Sequence, residues 1–136
     1  MGKTAIILGA TGLTGGLLLE QILMDKRYTK IKLFSRSSCN IKHEKIEEHL
    51  VDLLDLSSQK SKFFADEVFC CIGTTKAKTP NQEQYLQIDY GIPVMAAKLC
   101  KENNINTFLV ISALGADKHS KVFYNRTKGR MEEAVF

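Results

Sequence analysis

Short unbroken apolar runs alternate along the chain with longer stretches whose apolar residues recur at helical spacing. Thr4 to Leu8 (TAIIL) stops at a glycine cluster, the pattern of a strand buried on both faces. Leu17, Leu18, Leu19, Ile22 and Leu23 then mark one side of a helix to about Met24. Lys30 to Ser35 (KIKLFS) predicts a second strand, Ile46 to Asp52 a weaker third, and Ser57 to Phe64 a short helix. Glu67 to Ile72 (EVFCCI), rich in β-formers, predicts a fourth strand. A basic loop from Thr74 to Pro80 leads into helical sequence from about Asn81 to Asn103, in which Pro93, just after Gly91, predicts a break or a fresh start. Thr107 to Ser112 (TFLVIS) is the fifth strand, and a last helix begins near Lys121.

Strands alternating with helices predict the α/β class, as a Rossmann-type doubly wound parallel sheet of about five strands in one domain over residues 1–136. Met131, Val135 and Phe136 occupy apolar positions in a helix still running at the last residue, with no Gly, Pro or basic cap behind it. A six-stranded dinucleotide fold needs a further strand, so a missing C-terminal portion is expected, with the apolar face of the last helix left for self-association.

Composition changes this picture little. With 44% hydrophobic and 25% charged residues, 9 glycines and 2 prolines among 136 residues, the chain is near the globular average, which excludes disorder, collagen-like repeats and a small stapled scaffold. The net charge of +4 is mild and dispersed, which argues against nucleic acid as a partner. No apolar stretch approaches the roughly 18 residues of a membrane span. Met1-Gly2-Lys3-Thr4 runs into the first strand without a signal-peptide layout, so a cytoplasmic location is expected. Cys39, Cys70, Cys71 and Cys100 lack CxxC spacing and are expected as buried free thiols, with no metal site. His43, His49 and His119 lie in polar segments and are expected on the surface.

Three constellations carry chemistry. Gly9-Ala-Thr-Gly12-Leu-Thr-Gly15 lies between the first strand and its helix. Gly9 permits a tight turn, Gly12 lets the backbone approach a pyrophosphate, and Gly15 lets the helix pack close to the strand with its N-terminal amides toward the anion. Gly9, Thr11, Gly12, Leu13, Thr14 and Gly15 are therefore candidate dinucleotide-binding residues. The second strand ends in Phe34-Ser35-Arg36-Ser37-Ser38 without a carboxylate, and a guanidinium flanked by hydroxyls suits a phosphate dianion. NADP(H) is thus expected over NAD(H), which stays possible, and Asp52 and Leu53 are expected to cover the adenine. Lastly, Ser112 ends the fifth strand while Tyr124 and Lys128 lie one turn apart on the next helix. An ammonium near Tyr124 would favour the phenolate, and a hydroxyl at Ser112 could hold a carbonyl oxygen that Tyr124 protonates. The plain alternative is that Tyr124 is a packed surface residue.

GATGLTG at the start, EVFCCIGTTKAK after the middle strand, and ISALGAD followed by FYNRTKG resemble the short-chain dehydrogenase/reductase superfamily over essentially all 136 residues. More narrowly they are similar to its atypical branch of Tat-interactive oxidoreductase-like, NAD(P)H-binding proteins. The resemblance implies that Ser112, Tyr124 and Lys128 are catalytic, that Lys128 also binds the nicotinamide ribose, and that Gly73, Thr74 and Thr75 border the cofactor. Asp89 stands where that superfamily usually has an asparagine. Two functions follow as expectations: an NADPH-dependent carbonyl reductase or alcohol dehydrogenase acting on a small molecule, or an NADP(H)-binding regulatory module that serves a protein partner with little turnover.

Overall fold

The computed structural model describes residues 2–72, 79–112 and 115–136. Its central strand, β1 (Lys3–Leu8), pairs in parallel with β2 (Tyr28–Ser35) on one side and β4 (Glu67–Cys70) on the other. With β3 (Ile46–Leu50) and β5 (Thr107–Val110) at the edges, the order is β3-β2-β1-β4-β5, and every pairing is parallel. The continuous apolar run in β1 follows from this position, because Ala5, Ile6, Ile7 and Leu8 are all fully buried. Ala5 and Ile7 pack with Leu19 and Ile22 of α1 (Leu13–Leu23), while Ile6 and Leu8 enter a second core with Phe34, Val68 and Leu99. The predicted doubly wound α/β sheet is present.

From β1 the chain winds outward through β2 and β3, then returns to the other side of β1 for β4 and β5. The reversal opens a crevice beyond the C-terminal ends of β1 and β4, where ligands bind in sheets of this kind.

Departures from expectation lie between the strands. The short helix expected at Ser57 to Phe64 is a 3₁₀ segment, Leu53–Lys62, kinked at Asp55 (φ −118°, ψ 42°). The helical stretch expected from Asn81 to Asn103 begins with α2 (Gln82–Leu86), capped by the Asn81 side chain, which accepts from the Glu83 and Gln84 amides at 2.9 and 3.1 Å. It runs on through a π-turn (Gln87–Gly91) into α3 (Ile92–Glu102), which starts just after Gly91 with Pro93 in its first turn, so of the two expected alternatives the fresh start is the one present. Pro93 has no N–H to return to the Asp89 carbonyl, and its ring would crowd that oxygen in a regular helix. Widening to a π-turn, in which the Ile92 amide donates to the Gln87 carbonyl, removes the conflict while the helix continues.

The last helix is α4 (Phe123–Val135). It is formed to Val135, and Thr127, Lys128, Gly129 and Met131 on its inner face are buried within the chain, so Met131 is not part of an open apolar face. Cys70 and Cys100 are buried as expected, whereas Cys39 and Cys71 are partly exposed. His49 is not a plain surface residue, since its ring stacks on Phe34 at 4.8 Å and its Nε2 lies 2.7 Å from Glu47. Among the described residues no helix is long and apolar enough to cross a membrane, and no His, Cys, Asp and Glu side chains gather as a metal site.

Adjacent glycines of α1 should respond to alanine with opposite signs. A Cβ at Gly15 would lie 2.0 Å from the Gly9 carbonyl oxygen, whereas one at Gly16 meets only the Ala10 carbonyl oxygen at 3.5 Å. Gly15→Ala should cost about 2 kcal/mol or more through overpacking, and Gly16→Ala should gain about 0.5–1 kcal/mol in helix propensity. Urea denaturation of the two variants checks both signs.

Candidate functional site

The crevice at the switch point is a cleft of about 600 Å³. Its floor is the β1–α1 turn. Gly9 there has φ +88°, a conformation that favours glycine, and a Cβ would lie 2.7 Å from the Cys71 carbonyl oxygen. Gly12 differs. It has extended backbone (φ −85°, ψ 175°), and among the described residues a Cβ would meet no atom closer than the Gly9 carbonyl oxygen at 3.5 Å. Packing does not require glycine at position 12, so the space in front of it is open to a ligand. Gly12 caps α1 without a side-chain bond and the first turn carries no acidic residue, which leaves backbone N–H groups to meet an anion.

Gly9, Thr11 and Gly12 line this cleft, as do Arg36, Asp52 and Leu53, all anticipated from sequence. Gly15 is buried behind the turn, and Leu13 and Thr14 face outward, Leu13 being 84% exposed. Asp52 has a structural duty as well, accepting from the Leu54 amide at 3.0 Å to cap the 3₁₀ segment. The opposite wall was not anticipated. It consists of Gln84, Gln87, Ile88 and Ile92, presented by α2, the π-turn and α3. Ile88 and Ile92 are four apart in a helical stretch, a spacing that sequence alone assigns to the core. Gly73, Thr74 and Thr75 lie outside the described residues.

A second cluster surrounds α4. Tyr124 is 37% exposed, and its ring meets Tyr85 of α2 edge-on at 5.9 Å, while Tyr85 meets Phe123 at 5.4 Å. Lys128, 2% exposed, reaches inward to Asp89, which is fully buried, with Nζ 3.5 Å from Oδ1. The same Nζ lies 6.0 Å from the Tyr124 ring centroid. The expected lowering of the Tyr124 phenol by Lys128 is not what this geometry produces. Burial first, and the Asp89 charge second, push Tyr124 above the ordinary tyrosine value. Burial also raises Tyr85, with its contact to the Asp89 carboxylate next in weight. The Ser112 Oγ is buried with no hydrogen-bond partner among the described residues. Aromatic and apolar side chains, including Pro80, Tyr85, Val122 and Phe123, wall a cavity of about 170 Å³ beside Tyr124. Thr79 lines both this cavity and the larger cleft, so the two adjoin.

A family model described as NAD(P)H-binding matches residues 9–135. Protein HTATIP2 of Rattus norvegicus is 32% identical over 137 residues, an overlap that takes in 98% of this chain and 56% of the rat protein. Protein FMP52, mitochondrial, of Meyerozyma guilliermondii is 33% identical over 136 residues, covering 96% of this chain and 57% of that one. The chain thus spans little more than half the length of these relatives. Among solved structures, Bordetella bronchiseptica WbmH in complex with NAD+ superimposes with a TM-score of 0.83 at 13% identity, over 99% of this chain and 52% of that one. At that identity the likeness is one of fold.

Two expectations are corrected by these findings. The preference for NADP(H) does not stand, because WbmH holds NAD+ and the similarly folded WbmG, at a TM-score of 0.82, holds NAD. A guanidinium at a strand exit does not by itself signify a 2′-phosphate, since its planar face also stacks on an aromatic ring. The cytoplasmic location is overturned by the fungal FMP52 relatives, which are mitochondrial by name. A first strand close to the start of a sequence does not decide a compartment.

The open space before Gly12 separates binding from folding in one experiment. Gly12→Val should leave the melting temperature within about 2 °C, a change of less than about 0.5 kcal/mol for a chain of this size. Calorimetric binding of NADH should nevertheless disappear, because the side chain fills the space of the pyrophosphate. A folded Gly12→Val protein with undiminished NADH affinity would show that nothing approaches the backbone there.

Proposed function

Because the chain belongs to the NAD(P)H-binding family, with a short-chain dehydrogenase/reductase-like fold, we propose that it carries the dinucleotide cleft and the proton-transfer residues of an NAD(H)-dependent oxidoreductase acting on a carbonyl or alcohol substrate. The observation that supports this most directly is the junction at Thr79 of the dinucleotide-sized cleft with the cavity beside Tyr124. Such a junction lets the two ends of a hydride transfer meet.

In this reading the pyrophosphate sits before Gly12, held by the N-terminal amides of α1. Arg36, which lines the cleft, would cover the adenine, with Leu53 and Ile88 as apolar walls. When bound, the nicotinamide supplies a hydride to the carbonyl carbon. Ser112 donates its hydroxyl to the carbonyl oxygen, a role that supports the enzyme over a purely regulatory module because the buried Oγ has no hydrogen-bond partner among the described residues. Tyr124, whose phenol is held above its ordinary range, delivers a proton to that oxygen as the hydride arrives. Lys128, turned inward onto Asp89, lies beneath Tyr124, and the donor role toward the nicotinamide ribose implied by the resemblance would require it to reach past that contact.

Tyr124→Phe tests the assignment. NADH affinity should change by less than about twofold, since the lost hydroxyl acts on the substrate, while turnover should fall by about 10²- to 10⁴-fold. The assay follows NADH absorbance across a panel of aldehydes and ketones, with calorimetry for the cofactor. Turnover that persists unchanged in Tyr124→Phe removes Tyr124 from the mechanism.

A further inference from the structure

Asp89 is the one fully buried carboxylate among the described residues, and the reaction outlined above makes no direct use of it. Three observations converge on it. The π-turn before Pro93 carries it at the point where the helix widens. Its Oδ1 lies 3.5 Å from the Lys128 ammonium, in a contact whose side chains are 0% and 3% exposed. Its charge also bears on two phenols, Tyr85 of α2 and Tyr124 of α4, whose rings meet at 5.9 Å and 71°.

We propose that Asp89 is a positioning residue which, by engaging Lys128 out of contact with water, keeps Tyr124 in its neutral, proton-donating form. This rests on the role given to Tyr124 above. An unopposed ammonium beneath a phenol pulls it toward phenolate, the form that accepts a proton from an alcohol. With a carboxylate against the ammonium in a setting of low dielectric, the pull of the ammonium is opposed, and the Asp89 charge acts on Tyr124 in the other direction. The neutral phenol that results donates to a carbonyl, so the site is arranged for reduction.

Among the described residues, few groups bear on Tyr124 in this way. The ionisable neighbours of Tyr124 among the described residues are Asp89 from the π-turn, Tyr85 from α2 and Lys128 from its own helix. Cys70 of β4 senses Lys128, but burial pushes its thiol up to about 12, so it is uncharged at neutral pH.

The test is the titration of Tyr124 in the whole chain, read by NMR of ¹³C-labelled tyrosine and assigned by loss of the signal in Tyr124→Phe. Asp89→Asn keeps the shape and removes the charge, and the Tyr124 midpoint should fall by about one pH unit. The alkaline limb of any carbonyl reduction should move down by the same amount. Where Asp89→Asn leaves Lys128 unpaired and does not fold, Asp89→Asn combined with Lys128→Met removes the pair as a unit and should show a smaller fall. A Tyr124 midpoint that stays in place in whichever variant folds overturns the proposal, because a merely structural Asp89 would alter stability alone. A midpoint that falls supports the positioning role even in a protein that turns over no carbonyl, in which case the reductase reading alone fails.

Discussion

Everything in the dinucleotide cleft depends on one close approach of backbone to backbone. The turn after β1 folds so tightly onto the start of α1 that a single methyl at Gly15 would lie 2.0 Å from the Gly9 carbonyl oxygen. The Gly12 amide donates to the same Gly9 carbonyl at 3.1 Å, and Gly9 in turn passes close to the backbone after β4. Helix, turn and two central strands are thus locked together without intervening side chains. Only with the helix this near does its N-terminus open onto the crevice where the winding of the sheet reverses. Two of the three glycines serve that packing, and the third leaves room for what is to be bound.

A second constraint is carried through the fold from Pro93. A proline in mid-helix has to be accommodated by a lost hydrogen bond and a displaced turn. Here the displacement falls on residues Gln87–Gly91, whose side chains serve two purposes at once. Gln87 and Ile88 line the dinucleotide cleft, and Asp89 turns the other way into Lys128. The π-turn therefore joins the wall of the cleft to the charge beneath the phenol, and a local defect in helical geometry becomes the link between the two halves of the site.

The sheet was legible from sequence because a strand buried on both faces has to be apolar throughout, and TAIIL has no other stable use so close to a glycine turn. The glycines and YxxxK were legible for a similar reason, since spacing alone constrains what they can do. Tyr85 and Asp89 were not read as partners of Tyr124 and Lys128, because that contact joins two helices distant in the chain and separated by a strand. Their own signal was an i, i+4 pair, an aromatic and a lone acid, four residues before a proline. Arg36 misled for a different reason: a sequence records which residue ends a strand but not which face of its guanidinium a ligand would meet. Pro93 left a break or a fresh start open because propensity rules describe regular helices, and a π-turn satisfies the proline by leaving that regularity.

Asp117 and Lys118, past the fifth strand, make one contact with the YNRTKG stretch of α4. A Cβ at Gly129 would lie 2.2 Å from the backbone nitrogen of Lys118, and the Asp117 amide donates to the Asn125 carbonyl at 3.0 Å. The backbone at Asp117 and Lys118 thus rests directly on α4 at Gly129, one residue beyond Lys128, where no side chain stands in its way. The contact lies beside Lys128, whose Nζ is 3.5 Å from Asp89 Oδ1. Tyr124, a turn earlier, stays near the surface. A half-exposed phenol above a buried ion pair is the arrangement a proton donor needs, open to a substrate on one side and held electrostatically from the other.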